Sequence, residues 1–263
     1  TPVVSSAASD VYKRQDSHPD ESVFRFPDKK FFEFKKSAQK EVNYLVKEFE
    51  CKKSASAYAR ATTSRTGVLD TTKLHTYKYN EDLFKKVSVI PEGKNHGLVF
   101  ILDWSGSMSH VMMDTIKQLY NLMWFCKKVQ IPFDVYAFTT SYPKTDRDDR
   151  GYAAPLYDAK DNMMVVENQF SLMNLFTSQT RIKELNQQML NIFRIVGSYR
   201  DYTARDLTPY GLELSGTPLN ETIVALHDLI PQFQAKTKVE KVNCVILTDG
   251  EGYQLSYHRT VNR

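Results

Sequence analysis

Hydrophobic and polar positions divide the chain into stretches with different periods. Between Phe31 and Ala59, the apolar residues Phe34, Ala38, Val42, Leu45 and Phe49 recur at steps of four, four, three and four, the spacing of one helix face. Lys35, Lys36, Lys40, Lys47, Lys52 and Lys53 fall between them; they predict a solvated face, with an acidic partner surface as the alternative. The next stretch, "ATTSRTGVLDTTKLHTYKYNEDLFKKV", is polar, turn-rich and broken by Gly67. It is expected to wrap over the main domain. At Gly97 the texture changes to "GLVFILD", a continuous apolar run that predicts a strand buried on both faces of a parallel sheet. Met112, Ile116, Leu119, Met123 and Cys126 then step by four, three, four and three, a helix for which Ser109 is the expected cap. After the break at Pro132, "FDVYAFTT" alternates Phe133, Val135, Ala137 and Thr139 against Asp134, Tyr136 and Phe138, a second strand. Strand, helix, strand is the βαβ unit of an open α/β sheet.

Beyond Ser141 the pattern weakens. "KTDRDDRG" starts like a calcium loop at Asp146, Asp148 and Gly151, but Arg150 and Tyr157 occupy positions that need oxygen ligands, so that site is rejected. "NMMVVEN" predicts a short strand, and Ile182, Leu185, Met189, Ile192, Phe193 and Val196 predict a helix over Arg181 to Val196. "LSGTPLNETIVALHDLI" reads as a glycine-containing loop, Thr217, and a helix from about Pro218, a residue suited to a first helical turn. "VNCVILTDG" predicts another buried strand that ends in Thr248, Asp249 and Gly250.

Composition adds little to this picture. Of 263 residues, 41% are hydrophobic and 25% charged, ordinary globular values. A net charge of +4 with no dense basic run gives no argument for nucleic acid, and the longest apolar runs are far short of a membrane span. Cys51, Cys126 and Cys244 lie far apart without a CxxC pair, which predicts reduced thiols in a cytoplasmic protein. The leader "SSAASDVYKRQ" resembles the in-frame translation of a transposon-end sequencing adaptor, so residues 1–15 are set aside. Residues 16–96 form a helical and extended N-terminal region, and 97–263 the main domain.

Chemistry enters where the strands end. In an open parallel sheet, ligands bind at the carboxyl ends of strands near the point where strand order reverses. Asp103 and Asp249 occupy two such ends, Ser105 and Ser107 follow the first, and Thr217 precedes a helix. If the two strands are neighbours, two carboxylates and three hydroxyls converge. This all-oxygen set suits Mg²⁺ or Mn²⁺ rather than structural zinc. Spacing Asp103, Ser105 and Ser107 one residue apart lets their oxygens face one point, with Gly106 expected to permit a tight turn. Neutral hydroxyls leave much of the cation's charge uncompensated, which favours one further carboxylate from a partner.

"DWSGSM", "SGTPL" and "LTDGE" resemble the three parts of the metal-ion-dependent adhesion site of von Willebrand factor A domains. The DxSxS pattern falls on Asp103, Ser105 and Ser107, the threonine on Thr217 and the later aspartate on Asp249. The resemblance implies a doubly wound, mostly parallel α/β sheet with helices on both faces, behind an N-terminal helical extension. That fold adds a helix and a strand after the second aspartate, so the domain is expected to be C-terminally truncated. The stretch 141–214 is long for it and is expected to contain an insertion. Upstream, Gly67, Leu69, Asp70, Leu74, His75, Phe84 and Lys85 lie in a segment similar to that before the A domain in the T subunit of aerobic cobalt chelatase, a type also carried by phages of marine cyanobacteria. In that family the subunit works with a hexameric AAA+ ATPase, while a third, large subunit holds the porphyrinoid ring.

The resemblance therefore implies a non-catalytic assembly subunit that grips an acidic residue of an AAA+ partner. The alternative is an adhesion-type domain binding an extracellular or virion-surface ligand through the same metal. No Walker A, HExxH or GxSxG pattern occurs in the chain, and no catalytic residue is assigned. His75, His96, His110, His227 and His258 are scattered, and His110 near the site reads as a surface residue. Trp104 is expected to pack beside the crevice or to meet a partner, with a place in the core as the equal alternative.

Overall fold

The computed structural model describes residues 5–6, 24–60, 62–79, 83–89, 95–140, 160–165, 170–199, 208, 212–250, 252 and 254–257. The rejected calcium loop, His258 and all of the leader except Ser5 and Ser6 lie outside these residues.

The fold is mixed α/β, with a mostly parallel sheet flanked by helices. In chain order the strands are β1 (Ser5–Ser6), β2 (Thr62–Leu69), β3 (Phe84–Val89), β4 (His96–Asp103), β5 (Phe133–Thr139), β6 (Met164–Val165), β7 (Ser171–Thr177), β8 (Lys241–Leu247) and β9 (Ser256–Tyr257). The helices are α1 (Arg25–Arg60), α2 (Met112–Lys128), α3 (Ile182–Ser198) and α4 (Leu219–Thr237). The main sheet runs β7-β5-β4-β8, with the two leader residues of β1 paired in parallel along the outer side of β7. β4 pairs in parallel with both β5 and β8, whereas β5 and β7 are antiparallel.

Both faces of this sheet are covered, as the apolar runs predict. On one face Phe100, Leu102, Val135 and Ala137 pack with α1, α2 and α3; on the other Val99, Ile101, Tyr136 and Phe138 pack with α4 through Ala225, Leu226, Leu229 and Phe233. The alternation in β5 thus separates two buried faces rather than an inner from a wet one, and every residue of that strand is buried. Gly97 lets α4 come this close: a Cβ there would meet Phe233 at 2.6 Å. All five apolar positions predicted for α2 are buried, but the helix begins at Met112 behind a 3₁₀ turn, Ser107–His110. Ser109 lies inside that turn and is not the helix cap.

Other expectations shift. β8 was expected to be buried on both faces, yet Asn243 and Cys244 are exposed and the rest of its apolar residues only half-buried. The reason is position: among the described residues β8 is paired with β4 on one side only. β7 and α3 fall within 141–214, and both belong to the main sheet and its core. In α1 the inward row is Phe31, Ala38 and Val42, while Leu45 is 41% exposed. Phe31 meets Phe193 edge to face at 5.4 Å, and Arg194 grips Asp28 with two 2.7 Å bonds. Lys35 leaves the solvated face to bond Asn186 of α3 at 2.9 Å.

The segment before the main domain is a β-hairpin of β2 and β3. Its register slips between Arg65 and Leu69, where Gly67 takes φ +73°, a left-handed value natural to glycine. Asp70 caps the connection, accepting from the Thr72 hydroxyl at 2.7 Å and its N–H at 3.2 Å. The Thr72 hydroxyl bond is the main cause that lowers the Asp70 pKa.

Candidate metal centre

The site is built where three neighbouring strands end. Leu102 lies opposite Leu247 in the β4–β8 ladder, and Asp103 opposite Phe138 in the β4–β5 ladder. β4 is also the point of reversal, with β5 reached through α2 on one face and β8 through α4 on the other, the place where α/β sheets bind ligands.

Four of the five predicted side chains join in two short hydrogen-bonded chains. Ser105 and Ser107 hydroxyls lie 3.0 Å apart, and Ser107 donates to Asp249 Oδ1 at 2.8 Å. Thr248 donates to Asp103 Oδ2 at 2.6 Å and accepts from the Gly250 N–H at 3.2 Å. Thr217 arrives by the backbone. Ser105 and Ser215 form a parallel bridge, with Gly106 N–H donating to Ser215 O at 2.9 Å and Ser215 N–H to Trp104 O at 3.2 Å. This places the segment leading to Thr217 beside the serine loop, although no hydrogen bond joins the Thr217 hydroxyl to the other four side chains.

Burial grades across the set. Asp103, Ser105 and Thr217 are buried, whereas Ser107 and Asp249 are exposed. Burial is the chief cause that raises the Asp103 pKa; the Thr248 hydroxyl bond and the nearby Ser105 oppose it, and the nearby Asp249 charge adds to it. Asp103 Oδ1 is buried without a hydrogen-bond partner. A buried carboxylate oxygen in that state is costly. It fits a site that expects a cation, and the donor set around it is all oxygen. Among the described residues no three His, Cys, Asp or Glu side chains gather to hold a metal ion.

One detail corrects the sequence reading and two agree with it. Gly106 has φ −63° and ψ −34°, open to any residue, so no special turn requires it. Trp104 is fully buried; its indole N–H donates to Leu212 O at 2.9 Å and its ring meets Tyr199 edge to face, so it offers no partner contact. Cys126 is buried, and Cys51 and Cys244 are exposed; all three are free. Sequence reasoning missed Thr248, although its place follows from the register: with Leu247 opposite Leu102, the next residue faces Asp103. It also missed Thr140, whose hydroxyl lies 3.0 Å from Ser215 Oγ and accepts from the Gly216 N–H at 3.0 Å. Among the described residues no helix is long and apolar enough to cross a membrane. No protein-family model, curated protein or solved structure matches the chain.

Proposed function

We propose that this chain is a von Willebrand factor A-type domain that binds a partner protein through a divalent cation and does no chemistry itself. Asp103, Ser105, Ser107, Thr217 and Asp249 would hold Mg²⁺ or Mn²⁺. The observation that carries this reading is the buried, unpartnered Asp103 Oδ1 at the junction of three strand ends. When bound, the cation supplies a positive centre that a partner's carboxylate can complete. The chain's own residues do the rest. Asp103 and Ser105 form the floor, Thr248 orients Asp103, and Ser107 with Asp249 opens the site to solvent.

The partner is an AAA+ ATPase, in the manner of the cobalt chelatase T subunit, acting in the cytoplasm, with a large chelatase subunit as a further member. The hairpin formed by β2 and β3 contains Gly67, Leu69, Phe84 and Lys85, while Asp70, Leu74 and His75 lie in its connection; these residues support the narrower resemblance. Pull-downs with Mg²⁺ and with chelator, on wild type and Asp103→Ala, test the proposal. An AAA+ ATPase identified by mass spectrometry should be captured by wild type with Mg²⁺ only, and at least about tenfold less by the variant. Equal capture in all four conditions refutes cation-mediated docking.

A further inference from the structure

The Thr217 hydroxyl has no bond to the other site side chains, so its position is set by whatever holds its backbone. Three contacts do. The Ser105–Ser215 bridge ties the segment to the serine loop. Thr140, one residue beyond the end of β5 and buried, holds both Ser215 Oγ and the Gly216 N–H at 3.0 Å. Further back, the buried Leu212 carbonyl accepts two donors, the Trp104 indole N–H at 2.9 Å and the Tyr199 hydroxyl. Those two rings meet edge to face at 6.0 Å, so each fixes the other's donor. Trp104 itself lies between Asp103 and Ser105, which makes the clamp on the threonine segment continuous with the aspartate–serine loop.

We propose that Thr140, assisted by the Trp104–Tyr199 pair on the Leu212 carbonyl, is the positioning device that keeps Thr217 in register with Ser105 and Ser107 before any cation arrives. This rests on the metal-site reading above. Thr140 touches no cation in this scheme; it acts through the backbone of Gly216 and the side chain of Ser215. Preorganisation of this kind sets affinity because a loop that must be ordered on binding subtracts its ordering cost from the affinity.

The test uses Thr140→Val, which keeps the shape and removes the hydroxyl, Thr140→Ser, which restores it, and Tyr199→Phe, which removes one of the two donors to Leu212. Mn²⁺ affinity is read by titration, and amide hydrogen exchange over residues 212–217 is read in cation-free protein. Thr140→Val is expected to weaken Mn²⁺ binding about tenfold or more and to speed exchange at Gly216, with exchange in β4 unchanged. Thr140→Ser should return both to wild type, and Tyr199→Phe should produce a smaller change of the same kind. Should Thr140→Val leave exchange at Gly216 unaltered, the positioning role is overturned. Faster exchange with unaltered Mn²⁺ affinity overturns it equally. If wild-type protein binds no Mn²⁺, the metal reading fails, and faster exchange in Thr140→Val still upholds the clamp on this segment.

Discussion

β4 and β8 bring the two carboxylates to one edge of the sheet, yet they do so from opposite environments. β4 has a strand on each side, and from Val99 to Asp103 every residue is buried. Among the described residues β8 is paired with β4 alone, and its apolar residues stay half in solvent. Asp103 therefore enters the site already desolvated, with one oxygen unpartnered, whereas Asp249 stays in water beside Ser107. The buried half holds a carboxylate oxygen without a hydrogen-bond partner, and the exposed half faces solvent. The comparison also shows that an apolar run ending in aspartate reports a strand and its carboxyl end. It does not report how deep that strand lies.

The thiols offer the sharpest way to break this contrast. Cys126, inside α2, is fully buried and its thiol is pushed up to about 12 by desolvation. Cys244, opposite Val99 in the β4–β8 ladder, is exposed. With a maleimide under native conditions, Cys51 and Cys244 should label readily. Cys126 should wait for global unfolding, a difference of at least ~1000-fold in rate. Cys244 as slow as Cys126 would mean that the outer side of β8 is covered in solution.

A second, smaller contrast lies in the core. Leu102 and Leu247 are partners across the β4–β8 ladder, but Leu102 is fully buried and Leu247 only half so. Leu102→Ala should cost about 2–5 kcal/mol in urea denaturation, the range for truncating a buried leucine. Leu247→Ala should cost about 1 kcal/mol, in proportion to the smaller area it removes from water. Equal losses would place β8 as deep as β4.

Much of this was legible from residue order alone. The runs "GLVFILD" and "FDVYAFTT" and the four-three repeat of α2 fix three central elements, because burial on both faces leaves few other sequences possible. β7 was not legible: "SLMNLFT" places Ser171 and Asn174 among its apolar residues, and its antiparallel pairing with β5 needs no crossover helix to announce it. The depth of β8 was hidden because an apolar run looks the same in an edge strand as in a central one. At the site, Asp103, Ser105, Ser107 and Asp249 could be named from their spacing and strand ends; hydrogen bonds link the two serines to Asp249, and Asp103 to Thr248. Thr140, Thr248 and Ser215 could not be singled out in the same way. Their roles exist only once the ends of β4, β5 and β8 are neighbours, and a lone threonine after a strand has many ordinary uses.

The least of the expected effects asks whether the buried layer itself lifts a carboxylate, away from any metal site. Asp134, on β5 opposite Val99, is 4% exposed. Burial is the leading cause that raises its pKa, opposed by hydrogen bonds from Thr177 and Tyr136 and by the Lys236 charge from α4. A carboxyl whose folded pKa exceeds its unfolded one contributes stability that is fully present below the unfolded value. That contribution is lost as pH rises through the folded value. Asp134→Asn removes the ionisation while keeping a polar group of the same size. The stability of wild type relative to this variant should therefore fall as pH rises from about 4, the ordinary aspartate value, and level off once Asp134 is ionised. Parallel stability profiles for the two proteins across that window would show that Asp134 is not lifted by its burial. The raised pKa of Asp103 would then have to come from its particular neighbours, Asp249 above all, rather than from the depth of the β4–β5 layer.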